Sequence, residues 1–206
     1  AARPRPAGRL VWLHGASVGE TVSLLPLVER LRAAQPDVSV LVTSGTTTSA
    51  ELLARRLPEG AFHQYIPVDT PGAAARFLDH WKPDLAVFVE SELWPNLLLG
   101  ARERGMKLAL VSARMTEESA KGWRRFPAAA RTILRAFDLV LPQDVRTGVR
   151  LKDLGALVDG YANLTLVGDA LSADAAELAR LKAAAGDRLI VTAASTHPGE
   201  DALIAS

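Results

Sequence analysis

The chain has no cysteine among its 206 residues. Disulfide bonds, thiolate nucleophiles and cysteine-ligated metal sites are therefore excluded. Long apolar runs are missing too: no stretch of about 18 consecutive apolar residues occurs, so we predict no transmembrane helix within these residues. Neither charge is in clear excess, because 24 Lys and Arg balance 23 Asp and Glu. The charge balance thus gives no reason to expect a nucleic-acid partner.

The composition that remains is that of a globular protein with a substantial core. Hydrophobic residues make up 49% of the chain and charged residues 23%. The basic, proline-rich residues 1–8 lack the apolar core of a signal peptide and are predicted to form an extended linker. The last residues begin a helix-like pattern without a closing signal. We therefore expect the chain to be a piece of a longer protein.

Short apolar, β-branched runs alternate with amphipathic stretches along the chain. Strands are predicted at residues 9–14, 38–44, 62–68, 85–90, 107–113, 139–143, 164–168 and 189–195. Helices are predicted at residues 20–35, 47–57, 72–81, 95–105, 128–137 and 175–185. This alternation indicates a doubly wound, mostly parallel, Rossmann-like α/β sheet. We expect one domain over residues 9–170, then a linker and the start of a second domain over 171–206.

The turn after the first predicted strand reads Gly15-Ala16-Ser17-Val18-Gly19-Glu20. It lacks the glycine spacing of a dinucleotide site and the lysine of a P-loop. Gly15, Ser17 and Gly19 match the nucleophile elbow of serine hydrolases, although only roughly a dozen residues precede it. His197 is the only late histidine for such a triad.

The same turn has two further interpretations. Its helix-opening amides after Gly15 suit an anionic group. Glu20 is either a functional carboxylate or simply a favourable partner of the helix dipole. Ser17 is equally a helix N-cap, and His14 is equally a structural histidine at the end of a strand.

A second acidic turn follows the fourth predicted strand. Glu90 lies where this apolar strand emerges at the carboxyl edge of the sheet, a position where burying a carboxylate costs several kcal/mol unless it is hydrogen-bonded. Glu92 is either part of a site or a helix cap, and Trp94 is expected to pack between helix and sheet. If the first and fourth strands are neighbours, Glu20 and Glu90 approach across one crevice and push their pKa values apart. Arg114 then binds an anionic group of a ligand or neutralises Glu90.

Four motifs occur in order at residues 12–28, 89–98, 110–123 and 194–201: WLHGASVGETVSLLPLV, VESELWPNLL, LVSARMTEESAKGW and ASTHPGED. With them the chain resembles the 3-deoxy-D-manno-octulosonic acid (Kdo) transferases of lipopolysaccharide synthesis. The resemblance implies the amino-terminal, acceptor-side half of a two-domain GT-B glycosyltransferase. A membrane anchor would precede the linker 1–8, the segment that binds CMP would lie beyond residue 206, and this chain alone is expected to be inactive.

The resemblance also implies a reaction and a site. Kdo would pass from the donor substrate CMP-Kdo to a lipid A precursor, without cofactor or metal, at the cytoplasmic face of the inner membrane. Glu20 would be the catalytic base and Glu90 the stabiliser of the transition state. The residues expected to bind substrate are His14, Gly15, Ser17, Glu92, Asn96 and Arg114.

One departure from the family pattern keeps other functions open. A lysine expected near residues 168–174 is absent, since no lysine occurs between Lys152 and Lys182. A non-catalytic sugar-phosphate binding paralogue and, less favoured, a serine hydrolase using Ser17 remain the alternatives.

A membrane-facing surface is expected within residues 121–137, where basic and apolar residues are interleaved. The basic residues are Lys121, Arg124, Arg125, Arg131 and Arg135, and the apolar ones are Trp123, Phe126, Ile133, Leu134 and Phe137. A helix with a solvated basic side explains the same pattern.

Overall fold

The computed structural model describes residues 3–166, 174–188, 190, 192–194 and 196–205. The chain divides into two compact units, Ala1–Gly168 and Asp169–Ser206. Within the described residues, the first unit contains a six-stranded, wholly parallel sheet and the second unit contains two helices.

The strands of the sheet are β1 (Leu10–His14), β2 (Ser39–Ser44), β3 (Ala61–Tyr65), β4 (Leu85–Val89), β5 (Lys107–Ala113) and β6 (Leu139–Pro142). Their spatial order is β3-β2-β1-β4-β5-β6. From β1 the chain adds β2 and β3 on one side, and it then crosses over to add β4, β5 and β6 on the other side. Doubly wound dinucleotide-binding folds have the same strand order. The predicted fold class, a Rossmann-like sheet of the kind found in the amino-terminal half of GT-B enzymes, is confirmed.

In the described part of the first unit, seven α-helices connect and cover these strands. They are α1 (Val18–Ala34), α2 (Thr47–Arg56), α3 (Pro71–Trp81), α4 (Pro95–Glu103), α5 (Glu117–Arg124), α6 (Pro127–Leu134) and α7 (Val145–Asp153). The core lies on both faces of the sheet. Trp12 and Phe88 belong to one buried cluster, whereas Leu13 and Val87 belong to the other. Burial on both faces explains why the strands read as continuous apolar runs.

Two sequence predictions about elements of the first unit were wrong or incomplete. The predicted strand at 164–168 is a 3-10 helix at Leu164–Leu166, and residues 167 and 168 lie outside the described part of the chain. The side chain of Asn163 accepts hydrogen bonds from the backbone and the hydroxyl of Thr165, at 3.0 and 2.6 Å, which curls the chain locally. Helices α5 and α7 were not predicted, although Thr116 and Asp144 are N-caps that signal them.

The second unit contains α8 (Ala175–Ala185) and α9 (Glu200–Ala205). The predicted helix at 175–185 is confirmed, and it begins after Asp174, whose side chain accepts a hydrogen bond from the backbone N–H of Glu177. The strand predicted at 189–195 falls partly outside the described residues, and residues 190 and 192–194 lie in no helix or strand.

Residues 3–8 form no helix or strand. They are held against the end of α3, because the guanidinium of Arg5 donates hydrogen bonds to the carbonyls of Trp81 and Lys82 at 2.7 and 3.2 Å. These carbonyls end α3, so Arg5 satisfies carbonyl groups that have no partner inside that helix. Within the described residues, no helix combines the length and the apolar character that crossing a membrane requires.

Candidate active site at the switch point of the sheet

The crevice of this sheet lies where β1 and β4 run side by side. His14, the last residue of β1, is in register with Phe88 of β4. The connections that follow these two strands lead to opposite sides of the sheet, which opens a crevice at their carboxyl ends. Glu20 follows β1 and Glu90 follows β4, so both predicted catalytic residues lie at this switch point.

Glu20 belongs to the first turn of α1 and is held there by the residues before it. Ser17 is the N-cap, and its hydroxyl accepts a hydrogen bond from the backbone N–H of Glu20 at 3.2 Å. The two carboxylate oxygens of Glu20 accept in return from the backbone N–H of Ala16 at 2.9 Å and from the hydroxyl of Ser17 at 2.8 Å. This reciprocal arrangement resembles a capping box. The carboxylate is therefore oriented by its own turn and is only partly buried.

Gly15 is the residue that lets this turn close. A Cβ atom at position 15 would lie 2.9 Å from the Cβ of Glu20 and 3.1 Å from its carbonyl carbon. Such contacts are shorter than side-chain packing allows. The absence of a side chain at position 15 therefore lets Glu20 pack against the turn.

Glu90 lies in a strained and partly buried position. Its φ angle of 54° is in the left-handed region, which a non-glycine residue adopts at a cost of about 1–2 kcal/mol. Its side chain is 26% exposed, and the nearest cation is Arg114, whose Nη1 lies 3.9 Å from the carboxylate. Burial raises the pKa of Glu90, and the negative charge of Glu20 raises it further, against the opposing effect of Arg114. The two acidic turns therefore interact electrostatically.

Glu92 points toward the end of β1. Its Oε2 accepts a hydrogen bond from the indole N–H of Trp94 at 2.6 Å and lies 3.2 Å from Nε2 of His14. Burial alone would raise the pKa of Glu92, but the hydrogen bonds from His14 and Trp94 outweigh it and lower the pKa. Trp94 also packs against the main core cluster, as expected.

His14 is fully buried, and both of its ring nitrogens have partners. Nδ1 lies 2.9 Å from the hydroxyl of Thr43 on the neighbouring strand β2, and Nε2 faces Glu92. Thr43 was missed by the sequence analysis. Its signal is a hydroxyl residue that directly follows the apolar run Val40–Val42 of the buried strand β2.

The amide of Asn96 is used to attach α4 to the loop after β3. Its Nδ2 donates to the backbone carbonyl of Asp69 at 2.7 Å, and the carboxylate of Asp69 accepts from the backbone N–H groups of Asn96 and Leu97 at 3.1 and 2.9 Å. Asp69 therefore caps α4 from another loop. The sequence analysis missed this residue, because nothing near it in the sequence identifies its helix.

The carboxyl edge thus brings together Glu20, Glu90 and Arg114, whereas His14 and Asn96 are engaged with other protein groups. The catalytic and substrate-binding roles predicted for all of these residues stay predictions. In the part of the chain that the structure describes, no three His, Asp or Glu side chains are grouped as a metal site would require. The family lysine is expected near residues 168–174, and residues 167–173 lie outside the described part of the chain.

The segment 121–137 is not one amphipathic helix. It is divided between α5 and α6, and the side chains of Ile133, Leu134 and Phe137 are buried in the core cluster. Leu134 and Phe137 are therefore unavailable to a membrane, which corrects that part of the prediction. Trp123 and the 67% exposed Phe126 instead line an apolar groove of about 400 Å³. Its other lining residues are Pro95, Leu99, Ala129, Thr132 and Ile133.

Solved structures of low sequence identity share this fold. The UDP-GlcNAc 2-epimerase of Neisseria meningitidis matches with a TM-score of 0.54 at 11% identity, over 77% of this chain and 47% of that chain. Staphylococcus aureus MnaA, in a co-structure with UDP, matches with a TM-score of 0.54 at 13% identity, over 84% of this chain and 52% of that chain. At these identities the likeness concerns the fold alone.

Curated sequence relatives are more similar. The 3-deoxy-D-manno-octulosonic acid transferase of Rickettsia felis is 36% identical over 96% of this chain and 43% of its own length. The Haemophilus influenzae transferase is 33% identical over 98% of this chain and 48% of its own. A probable mitochondrial transferase of Arabidopsis thaliana is 34% identical over 97% of this chain and 46% of its own. The chain thus spans about half the length of these relatives.

A family model described as 3-deoxy-D-manno-octulosonic-acid transferase (kdotransferase) matches residues 1–169. This range contains the whole parallel sheet and both acidic turns. The chain therefore belongs to the 3-deoxy-D-manno-octulosonic-acid transferase family.

Proposed function

We propose that this chain is the acceptor-side half of a glycosyltransferase that moves Kdo from CMP-Kdo to a lipid A precursor. Membership of the family supports the transferase class. The observation that carries the proposal is the position of Glu20 and Glu90 after the carboxyl ends of the paired strands β1 and β4, at the switch point of the sheet. The charge of Glu20 also raises the pKa of Glu90, after burial. The donor is a substrate, and the proposed reaction uses no cofactor and no metal.

In this proposal Glu20 is the general base. Its carboxylate accepts the proton of the acceptor hydroxyl while the hydroxyl oxygen attacks the anomeric carbon of Kdo. The bond from that carbon to the phosphate oxygen breaks, CMP leaves with the electron pair, and the anomeric centre inverts. The hydrogen bonds from Ala16 and Ser17 support the role, since they fix the direction of the carboxylate before substrate binds.

Glu90 is proposed to stabilise the positive charge that develops on the sugar ring, or to orient the acceptor. A partly buried carboxylate is suited to this role, since the electrostatic effect of a fixed charge is stronger where water is excluded. Arg114 is partly exposed and pairs only loosely with Glu90, at 3.9 Å. It therefore remains available to an anionic group of either substrate.

A lipid acceptor requires part of this domain to face the membrane, at the cytoplasmic face of the inner membrane. The proposed contact is the apolar groove lined by Trp123 and Phe126, with the guanidinium groups of Arg124, Arg125 and Arg131 nearby in sequence. Apolar side chains beside basic ones suit an anionic bilayer surface. Reversing the three arginine charges should weaken liposome binding, whereas reversing Arg55 and Arg56 on α2 should not. Unchanged binding of the first variant would exclude this surface.

The catalytic proposal is tested by measuring Kdo transfer in the full-length protein. Glu20→Ala should lower kcat by roughly a hundredfold or more, which is the scale of a lost general base. Glu29→Ala, an exposed glutamate on the same helix, serves as the matched control and should keep the wild-type rate. Retained turnover in Glu20→Ala would refute the assignment of the base.

The absent family lysine favours a second candidate, a non-catalytic sugar-phosphate binding paralogue. In that case Glu20→Ala leaves ligand binding and genetic complementation intact. The serine hydrolase alternative is opposed by geometry, because the Ser17 hydroxyl donates to Glu20 and no described histidine hydrogen-bonds to it. Labelling of Ser17 by a fluorophosphonate probe would support that alternative.

A further inference from the structure

A chain of buried and partly buried hydrogen bonds connects β1, β2 and the turn after β4 near the candidate site. It begins at Trp12, whose indole N–H donates to the hydroxyl oxygen of Thr43 at 2.8 Å. The hydroxyl of Thr43 lies 2.9 Å from Nδ1 of His14, and Nε2 of His14 lies 3.2 Å from Glu92. Trp94 completes the chain at the same carboxylate oxygen. The five side chains belong to β1, to β2 and to the turn after β4.

The direction of these hydrogen bonds follows from the donors and acceptors available. The indole of Trp12 can only donate, so the hydroxyl oxygen of Thr43 accepts that bond. Nδ1 of His14 lies near both the hydroxyl and the backbone carbonyl of Thr43, at 2.9 and 3.2 Å. A carboxylate can only accept, so Nε2 of His14 carries a proton and donates it to Glu92. One oxygen of Glu92 thus accepts from the buried His14 and the partly buried Trp94. Removing this acceptor would leave the buried ring nitrogen of His14 unsatisfied.

These hydrogen bonds hold the turn that carries Glu90. On the side of β5, the backbone N–H of Arg114 donates to the carbonyl of Glu90 at 3.1 Å, and the hydroxyl of Ser91 donates to the carbonyl of Arg114 at 2.7 Å. On the side of β1, the attachment is made by Glu92. Glu90 lies between the two attachments with its left-handed φ of 54°, a conformation that persists only where its surroundings enforce it.

We propose that Glu92 is a positioning residue of the transfer site, which with His14 and Thr43 fixes the turn at residues 90–94 and so directs the Glu90 carboxylate into the crevice. The inference rests on the function proposed for Glu90. It assigns to Glu92 and His14 a role other than substrate binding. In this proposal Glu92 acts through its hydrogen-bond acceptor and not through its charge, since its Oε2 accepts from Trp94 and lies 3.2 Å from Nε2 of His14.

This distinction is measurable, because a glutamine amide oxygen can accept the same two hydrogen bonds without a charge. In the full-length protein, Glu92→Gln should keep kcat within about threefold of wild type. Glu92→Ala should lower kcat tenfold or more while the KM for CMP-Kdo changes less than about twofold, since a misplaced group costs rate and not donor affinity. Equal losses in folded Glu92→Gln and Glu92→Ala, or wild-type turnover in Glu92→Ala, would overturn the proposal.

A double-mutant cycle tests whether Glu92 acts through Glu90. If it does, adding Glu92→Ala to Glu90→Gln should lower kcat less than about twofold further. A full multiplicative loss would overturn the proposal even if both single variants behave as expected. Wild-type turnover in Glu90→Gln would refute the function proposed for Glu90, and the inference with it. A defective Glu90→Gln beside a defective Glu92→Gln would refute the inference alone.

A measurement without turnover covers the case in which Glu92→Ala does not fold. The indole N–H resonance of Trp94, assigned with Trp94→Phe in ¹⁵N-tryptophan spectra, reports its hydrogen bond to Glu92 directly. It should stay at its downfield position in Glu92→Gln. If the resonance in Glu92→Gln moves to the position of a fully water-exposed indole N–H, the proposed acceptor role is contradicted. The kcat of Glu92→Gln then decides the positioning role by itself.

Discussion

Asp138, at the edge of the sheet formed by the amino ends of the strands, and Glu90, at the edge formed by their carboxyl ends, are carboxylates in opposite environments. At the amino edge, Asp84, Asp138 and Asp159 each accept a hydrogen bond from a backbone N–H near the start of a neighbouring strand, at 2.8, 3.0 and 2.9 Å. Asp138 also pairs with Arg102 and Lys107, at 3.0 and 3.3 Å. The backbone hydrogen bond, followed by these two cations, lowers the pKa of Asp138.

At the carboxyl edge the pKa of Glu90 moves the other way. Burial and the like charge of Glu20 raise it, and Arg114 at 3.9 Å offsets them only in part. The comparison separates two kinds of carboxylate in a single sheet. Asp138 is compensated by a backbone N–H and two cations, whereas Glu90 is compensated only in part, as its proposed role in transfer requires.

The largest expected difference between the edges concerns turnover. Glu90→Gln in the full-length protein should lower kcat by on the order of a hundredfold, because a charge that stabilises the transition state is removed. Asp138→Asn, the matched neutralisation at the amino edge, should leave kcat unchanged. Steady-state Kdo transfer checks both variants. Equal losses in the two variants would remove the distinction between the edges.

Asp138, at the amino edge, should instead contribute to the free energy of unfolding. Asp138→Ala should lower the free energy of unfolding by about 1–3 kcal/mol, because the backbone N–H of Leu108 and two cations lose their acceptor. Since folding lowers the pKa of Asp138, its contribution is complete above its ordinary value of 3.8 and is lost as pH falls through the lower folded-state value. Urea unfolding at neutral and acid pH tests this. A difference from wild type that grows as pH falls would contradict it.

Lys82, near the amino edge of the sheet, and Glu90, at its carboxyl edge, both have a left-handed backbone conformation. Lys82 ends α3 with a φ of 43°, and Glu90 has a φ of 54°. Lys82→Gly should raise the free energy of unfolding by about 1 kcal/mol and leave transfer unchanged, because glycine adopts this conformation without strain. Glu90→Gly should relieve similar strain but abolish most transfer. Thermal unfolding and turnover separate the two effects, and a destabilised Lys82→Gly would contradict the strain.

The smallest expected effect concerns Arg114. Arg114→Gln removes the cation nearest to Glu90 and should therefore raise the pKa of Glu90 further. The acid limb of the pH profile of kcat/KM should move to higher pH. The shift should be small and should shrink in high salt, since the Arg114 side chain is 56% exposed. A shift to lower pH would show that Arg114 does not act on Glu90 in this way.

The sequence was sufficient to predict the strands of the sheet and the adjacency of the two acidic turns. Continuous apolar strands and capped helices are local signals, and the topology rules for parallel sheets then place the ends of β1 and β4 at one edge. The 3-10 helix at Leu164–Leu166 was predicted as a strand, because an apolar run with a β-branched residue does not reveal a side-chain hydrogen bond such as that of Asn163.

The environment of His14 was not predictable in the same way. Its partner Glu92 lies 78 positions further along the chain, and Thr43 lies 29 positions away. Their contacts depend on the register of three strands, which the sequence pattern does not specify to the residue. For the same reason the pattern left open whether Arg114 neutralises Glu90, and the structure places it at a loose 3.9 Å.

The most direct test of the shared crevice is a carboxylate titration by ¹³C NMR, with Glu90 assigned by Glu90→Gln. The pKa of Glu90 should lie above its ordinary 4.5 in the wild-type chain and should fall when Glu20→Gln removes the neighbouring charge. A Glu90 that titrates below 4.5, or whose pKa is the same with and without Glu20, would show that the two glutamates do not face one site.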